Sequence, residues 1–349
     1  MHRCLQLALL GAGNVAPNPM VGAVLVYENR IIGEGYHRQY GQAHAEVNCI
    51  NSVQPADRHL IPQATIYVSL EPCAHFGKTP PCADLIIARG IRKVVVGCRD
   101  PFLEVNGKGI EKLQAAGVEV ITGVLEKECQ WLNRRFFTYH TRHRPYIILK
   151  WAQTANRRMA AAGSERLLIS HTLTNRLVHR WRSEETAILV GTRTALLDDP
   201  ALTNRYWHGH HPVRLVIDRR LQIPHSAQLF NGEAPLVVFN EQTNTVDTTT
   251  QFPFAAGNTF FYQLGQDADL VEQVVHACYY LRLQSILVEG GARLLQGFID
   301  TGNWDEARVI TNEQLQVQQG LQAPELGNAV PEKEETIAHD RIRYYIHPS

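Results

Sequence analysis

His44, Glu46, Cys73 and Cys82 are the residues of this chain whose types and spacing carry the most chemistry. One imidazole and two thiols make three ligands for a zinc ion. A three-ligand site keeps its fourth position for water, whereas a structural zinc usually closes its shell with a fourth residue. Water on such a metal ionises with a pKa of about 7 in place of about 16. Glu46, two residues after the histidine, is placed to move protons without binding the metal. The predicted chemistry is hydrolysis by an activated water.

The order His-x-Glu, then Pro-Cys, then Cys matches the signature of zinc-dependent nucleobase deaminases. The cysteine spacing departs from it, because eight residues separate Cys73 from Cys82. That inserted loop is polar, and His75, Lys78 and Thr79 within it are expected to help hold a substrate larger than a bare base. A strand before Cys73 and a helix from Cys82 would turn a helix N-terminus toward anionic ligands. Asn18, in Pro17-Asn18-Pro19, and His37, in Gly35-Tyr36-His37, are expected to line the same pocket; a turn or packing role is the alternative for each.

A second group lies in the other half of the chain. It comprises Gly191-Thr192-Arg193-Thr194, the run Asp198-Asp199-Pro200-Ala201-Leu202-Thr203, Arg205, and Val288-Glu289-Gly290-Gly291. A strand that ends in a Gly-Gly turn and a helix start can cradle phosphate on backbone N–H groups. A tight strand–helix turn is the plain alternative. Arg182 and Arg205 are candidates for a bidentate phosphate grip.

These residues need elements to hold them. In the first half the patterning predicts helices at 2–12, 44–52, 82–89 and 107–116. It predicts strands at 21–27, 30–36, 64–70, 93–98 and 118–123. The polar stretch 138–145 reads as a domain boundary, giving domains 1–144 and 145–349. The second domain reads as strands at 146–151, 187–191, 213–218, 236–239, 286–289, 307–311 and 342–347, with helices at 172–183, 269–283 and 292–301. Residues 244–250 and 324–335 read as loops, Lys333-Glu334-Glu335 as a solvated turn and His208-Gly209-His210-His211 as a surface loop. Alternating helix and strand in both halves defines an α/β protein.

Composition narrows the function classes. The 349 residues include 34 Lys+Arg and 34 Asp+Glu, and this zero balance gives no support for a nucleic-acid partner. No apolar run approaches the ~20 residues that span a bilayer. Seven cysteines, an odd number scattered along the chain, make no disulfide framework. The reading is a cytoplasmic protein with no membrane partner.

The motifs Pro17-Asn18-Pro19-Met20-Val21-Gly22, His44-Ala45-Glu46 and Pro72-Cys73 with Cys82 occur in the first half of this chain, and Asp198-Asp199-Pro200-Ala201-Leu202-Thr203 and Val288-Glu289-Gly290-Gly291 in the second. Together they resemble the bifunctional deaminase–reductase family of riboflavin biosynthesis over nearly the whole chain. The resemblance implies an N-terminal cytidine-deaminase-like three-layer α/β/α domain. It implies a C-terminal α/β domain of the dihydrofolate-reductase-like fold. The implied substrate is a small diaminopyrimidine ribosyl phosphate: the first domain removes an exocyclic amine, and the second reduces the ribosyl group to a ribityl chain with NADPH.

In that scheme zinc on His44, Cys73 and Cys82 supplies the hydroxide and Glu46 is the catalytic proton carrier. The resemblance implies cofactor contacts at Ala152, Leu168, Thr194, Asp198 and the turn and helix start Gly291, Ala292, Arg293, Leu294, Leu295, Gln296 and Gly297; Arg219 is an expected neighbour of the adenosine-ribose phosphate. It implies substrate contacts at Asp100 in the first domain, and at Lys150, Arg166, Arg182, Leu202, Arg205 and Glu289 in the second. It also suggests a homo-oligomer.

Two departures stand out. Asn156-Arg157 replaces an Asp-Gly-like turn, so a left-handed backbone there would strain Arg157. Phe102 follows Asp100-Pro101 where asparagine is common. Three other functions remain compatible with the residues alone: a deaminase whose second half only binds a ligand or supports the structure, a nucleic-acid deaminase, and a structural zinc protein with His75 as fourth ligand.

Overall fold

The computed structural model describes residues 1–76, 80–162, 167–246 and 257–348. The chain forms two compact units, Met1–His143 and Arg144–Ser349.

The first unit contains α1 (His2–Leu9), β1 (Gly22–Tyr27), β2 (Arg30–Tyr36), α2 (Ala45–Asn51), β3 (Thr65–Leu70), α3 (Cys82–Ala88), β4 (Lys93–Cys98), α4 (Lys108–Ala115), β5 (Glu119–Ile121), α5 (Glu126–Leu132) and α6 (Arg134–Arg142). A 3-10 helix, Pro55–Gln63, precedes β3. The sheet order is β2-β1-β3-β4-β5. β1 is antiparallel to both β2 and β3, and β3, β4 and β5 run parallel.

The period-two alternation of strands explains the layering. Ala23 and Leu25 of β1, with Ile66, Val68, Val94 and Val96, pack on Cys49, Ile50, Ala83, Ile86 and Leu113 of α2, α3 and α4. Val24 and Val26 face the other way, toward Cys4 and Leu7 of α1. The result is an α/β/α sandwich with its main core on the α2–α3 side. α2 lies so close to β2 that a Cβ built on Gly35 would stand 2.2 Å from Cys49 N, so only glycine permits this approach.

The segment expected as a polar boundary is largely helical, since α6 runs to Arg142. Its buried Phe136 and Thr138 alternate with Arg134, Arg135 and Arg142, and the surrounding charge hides the helical period.

The second unit contains β6 (Tyr146–Thr154), β7 (Arg158–Ala161), α7 (Thr172–Glu184), β8 (Ala187–Gly191), α8 (Thr192–Asp198), β9 (Val213–Ile217), β10 (Leu236–Asn240), β11 (Thr259–Gln263), α9 (Leu270–Tyr280), β12 (Ser285–Val288), α10 (Ala292–Asp300), β13 (Glu306–Asn312), β14 (Gly320–Gln322), β15 (Lys333–Ile337) and β16 (Asp340–Ile346). Among the described residues its main sheet has the order β11-β10-β9-β8-β12-β6-β13-β16-β15. The first seven strands are parallel, and the β13-β16-β15 edge is antiparallel.

Both faces of the parallel part are covered. Ile147, Leu149, Leu189 and Leu215 pack under α9 and α10. Tyr146, Ile148 and Leu287 pack against Val178 and Trp181 of α7. After β8 the chain steps outward through β9, β10 and β11, then returns to place β12 between β8 and β6. In parallel sheets, ligands bind outside the carboxyl ends of strands at such a reversal.

Lys333-Glu334-Glu335 begins strand β15 rather than forming a turn. It is a polar edge strand paired along β16, and its charged side chains concealed a strand from hydropathy. The threonine-rich loop lies partly outside the described residues.

Candidate functional site

His44 caps α2, Cys73 follows β3 in the loop Glu71-Pro72-Cys73, and Cys82 opens α3. Three separate elements therefore converge on one point. His44 Nδ1 lies 3.6 Å from Cys73 Sγ and 3.4 Å from Cys82 Sγ, and the three ligand atoms lie within 4.8 Å of one another. Tetrahedral bonds of about 2.3 Å to sulfur and about 2.1 Å to nitrogen place such atoms about 3.6 Å apart. The donor set and its spacing therefore fit zinc. No other such His/Cys/Asp/Glu group occurs among the described residues; His75 is outside this one.

The Cys82 N–H donates to Cys73 Sγ at 3.3 Å, and Ala83 N–H to Cys73 O at 3.1 Å. Hydrogen bonding by Cys82 and by His44 draws the Cys73 thiol well below its ordinary range, toward the thiolate that a metal needs. Glu46 sits in the first turn of α2 and is buried, 3% exposed. Burial, with the negative charge of Cys73, pushes its carboxyl up to about 6. A carboxyl so placed can hold or release a proton near neutral pH.

His37 is buried, and its ring meets that of His44 edge-on at 5.3 Å. Its Nδ1 faces Ala43 O at 3.1 Å, so that nitrogen carries the proton; Nε2 then accepts from Asn18 Nδ2 at 3.1 Å. Asn18, His37 and His44 thus form one connected row. Asp100 is buried and accepts from Phe102 N–H at 2.8 Å; burial pushes its carboxyl up to about 7. His75 stands 6.3 Å from the Phe102 ring. Lys78 and Thr79 lie outside the described residues.

Glu71 is a functional neighbour that the sequence did not single out. Its buried carboxylate accepts from Asp100 N, Gly107 N, Gly109 N and Ile110 N at 2.9–3.3 Å. It ties the Asp100 loop to the strand end that delivers Cys73. A charged residue closing an apolar strand was the available signal.

In the second unit, Arg182 donates to Glu289 through Nε at 3.0 Å and Nη2 at 2.7 Å, and Lys150 Nζ lies 3.6 Å from Glu289 Oε2. Three expected substrate residues from α7, β6 and the end of β12 are thereby brought together. Leu202 is buried with φ +54°, and Arg205 follows on the exposed continuation of the same segment. Thr194 Oγ1 accepts from Gly291 N–H at 2.9 Å, joining the first turn of α8 to the turn after β12 across the reversal point.

That bond alters one expectation. The Gly291 N–H is spent on Thr194, so the amides available to an anion are those of Ala292 and Arg293 in the first turn of α10. Leu295 is buried in the core, and Gln296 donates to Asp300 while accepting from Glu325 N–H. Both side chains thus tie α10 to its surroundings. Gly297 packs toward Val271. Ala152 lies on β6 opposite Ile310. Leu168 and Asp198 are exposed, and Arg219 is paired with Glu241. None of these three belongs to the Lys150–Arg182–Glu289 cluster. Arg166 is outside the described residues.

A three-layer α/β/α unit holding a His-Cys-Cys group beside a buried glutamate, and a parallel α/β unit with a polar cluster at its strand reversal, define a pyrimidine-type deaminase joined to a reductase. Residues 1–98 match the cytidine and deoxycytidylate deaminase zinc-binding region, and residues 145–312 match the RibD C-terminal domain. The riboflavin biosynthesis protein RibD of Aquifex aeolicus is 39% identical over 329 residues, 94% of this chain and 89% of its own. That of Escherichia coli is 35% identical over 268 residues, 77% and 69% of the two chains. A Thermotoga maritima crystal structure, described as a diaminohydroxyphosphoribosylaminopyrimidine deaminase/5-amino-6-(5-phosphoribosylamino)uracil reductase, superposes with a TM-score of 0.85 at 35% identity, covering 99% of this chain and 97% of that one.

The chain belongs to the RibD family of riboflavin biosynthesis proteins. It is a bifunctional enzyme, a deaminase (hydrolase) and a reductase (oxidoreductase), and its second unit has the dihydrofolate-reductase-like fold. No helix among the described residues is long and apolar enough to cross a membrane.

Proposed function

We propose that the first unit, with domains taken as 1–144 and 145–349, deaminates 2,5-diamino-6-(5-phosphoribosylamino)pyrimidin-4-one to 5-amino-6-(5-phosphoribosylamino)uracil, and that the second reduces the ribosyl group of that product. The observation that carries the first step is the His44–Cys73–Cys82 group beside buried Glu46. These three residues would hold zinc, which when bound supplies a Lewis acid that makes hydroxide available at neutral pH. Glu46 takes the proton from the attacking water, passes it to the ring nitrogen and assists departure of ammonia. Asn18, hydrogen-bonded to His37, is offered as an orienting contact for the base, and Asp100 and His75 as further contacts.

For the second step, Ala152, Thr194 and the first turn of α10 would hold NADPH, which supplies the hydride. Lys150, Arg182, Leu202, Arg205 and Glu289 would hold the substrate. Arg182, already bound twice to Glu289, is fixed in direction; Arg205, exposed, is the residue offered to the phosphate. The residues' contribution is to align the reacting carbon with the hydride donor and to exclude water. A small-molecule pyrimidine is the partner on this reading, in a homo-oligomer within the cytoplasm.

Mass spectrometry of products from the purified protein tests both halves. Incubation without NADPH should remove the amine, a gain of one oxygen for one NH; addition of NADPH should then add two hydrogens. Deamination with no subsequent reduction would leave the second unit a binding or structural module. No deamination would overturn the first assignment.

A further inference from the structure

The segment Ala201–Arg205 is held in an unusual way. Leu202 takes φ +54°, a conformation that costs a branched L-residue about 1 kcal/mol or more. Such a backbone persists only where its surroundings over-determine it. Here they do so atom by atom. Arg214 donates to Ala201 O at 3.4 Å, and Arg182 Nη1 to Thr203 O at 3.3 Å. The next two amides both end on histidines: Asn204 N–H donates to His211 Nδ1 at 3.1 Å, and Arg205 N–H to His179 Nδ1 at 2.9 Å.

His179 lies on α7 one turn before Arg182, so both face the same segment. It is 5% exposed, and its ring meets Tyr206 edge-on at 4.7 Å. An imidazole accepts at Nδ1 only while that nitrogen is unprotonated. The surroundings maintain this state: burial and the neighbouring Arg182 push His179 down to about 4, with Arg205 and Lys150 adding to it and Glu289 opposing. His211 closes the His208-Gly209-His210-His211 run, which reads from sequence as a plain surface loop. It is tied back by Asn204 Nδ2 donating to Gly209 O at 3.4 Å.

We propose that His179 and His211 are positioning residues of the reductase site, a pair of imidazole acceptors that clamp the successive amides of Asn204 and Arg205 and so preset the direction of the Arg205 side chain. The pair makes no contact with the reacting atoms. Its effect is on how tightly the phosphate end of the substrate is held. This rests on the reading above that Arg205 receives the substrate phosphate.

The test is steady-state kinetics of the reduction on the full chain, with KM for NADPH as the control on the fold of the second unit and deamination by the same preparation as the control on enzyme concentration. His179→Leu removes an acceptor whose bond is worth up to about tenfold in affinity. It should raise KM for the ribosyl phosphate by that amount, leaving KM for NADPH and the deamination rate unmoved. His179→Asn, whose Oδ1 can occupy the place of Nδ1, should recover most of the loss. His211→Ala should raise the same KM by about threefold, its bond being longer and more exposed. Arg205→Ala separates the two layers of the argument: no change in KM for that variant overturns the reading of Arg205 and the clamp with it. A raised KM in Arg205→Ala beside an unchanged one in His179→Leu overturns the clamp alone, as does a fall in kcat at constant KM that His179→Asn does not repair. Should His179→Leu fail to fold, an unchanged KM in His211→Ala overturns the clamp.

Discussion

Arg182 binds Glu289 through two parallel hydrogen bonds while Lys150 approaches the same carboxylate from β6. Burial alone would raise the Glu289 pKa, but the two cations outweigh it and hold it down to about 2. A carboxylate depressed in the folded state stabilises fully above its unfolded pKa of about 4.5, and that stability is lost as pH falls toward the folded value. Glu289→Gln leaves two buried cations with less compensation and should cost about 3 kcal/mol at pH 7. Denaturant unfolding of both proteins from pH 7 to pH 2 checks this: the gap should narrow below pH 4.5. A gap independent of pH would show that the carboxylate charge is not what stabilises the cluster.

Glu46 is beside the ligand group but is not part of it. Glu46→Gln should therefore keep the bound metal while losing the proton carrier, lowering deamination by about 10²–10⁴-fold. Metal content by mass spectrometry and the rates of both reactions decide it. Reduction of supplied intermediate should continue at the wild-type rate. Full deamination in this variant would remove Glu46 from the mechanism.

The loop that presents Cys73 depends on a close approach elsewhere. A Cβ built on Gly109 would stand 1.9 Å from Pro72 O, so Gly109→Ala must displace either α4 or the residue preceding the ligand. The Glu71 hydrogen bonds to Gly109 N and Ile110 N would shift with it. We expect a loss of about 2 kcal/mol or more, in the range for overpacking a tight site, together with less zinc retained per chain on dialysis. Unchanged zinc retention would mean that α4 yields and the Cys73 loop does not.

The legible parts of the sequence were those with short-range causes. Strands β1 and β4 follow from apolar runs bounded by turn residues, β2 from the Glu28-Asn29 hairpin turn that joins it to β1, and the metal group from residue type and spacing. Helix α6 and strand β15 were missed because charged side chains cover their exposed faces. Glu71, His179 and His211 were missed for another reason. Each acts by accepting backbone amides from residues distant in sequence, as with Glu71 and Gly109, or across a fold of the chain, as with His179 and Arg205. Backbone amides leave no mark in sequence. The spent N–H of Gly291 belongs to the same class.

The turn Thr154–Arg157 supplies a last pair of predictions with opposite signs. Arg157 has φ +61°, the left-handed region in which a side chain is strained. Its ion pair with Glu325 at 3.3 Å is half exposed on both sides and contributes little. Arg157→Gly removes a strain of about 1 kcal/mol and adds some chain entropy to the unfolded state. A net gain of about 0.5 kcal/mol is expected, one or two degrees in Tm for a unit of this size. Asn156 behaves differently. Its Nδ2 donates to Val317 O at 2.7 Å, and its Oδ1 accepts from Thr154 Oγ1 at 2.7 Å. An aspartate keeps the acceptor but sets a charged oxygen against the Val317 carbonyl, so Asn156→Asp should cost about 1 kcal/mol. Thermal unfolding of the two variants checks both signs at once. If Asn156→Asp were the stabilising change, the amide of Asn156 would not be what secures this turn to the segment before β14.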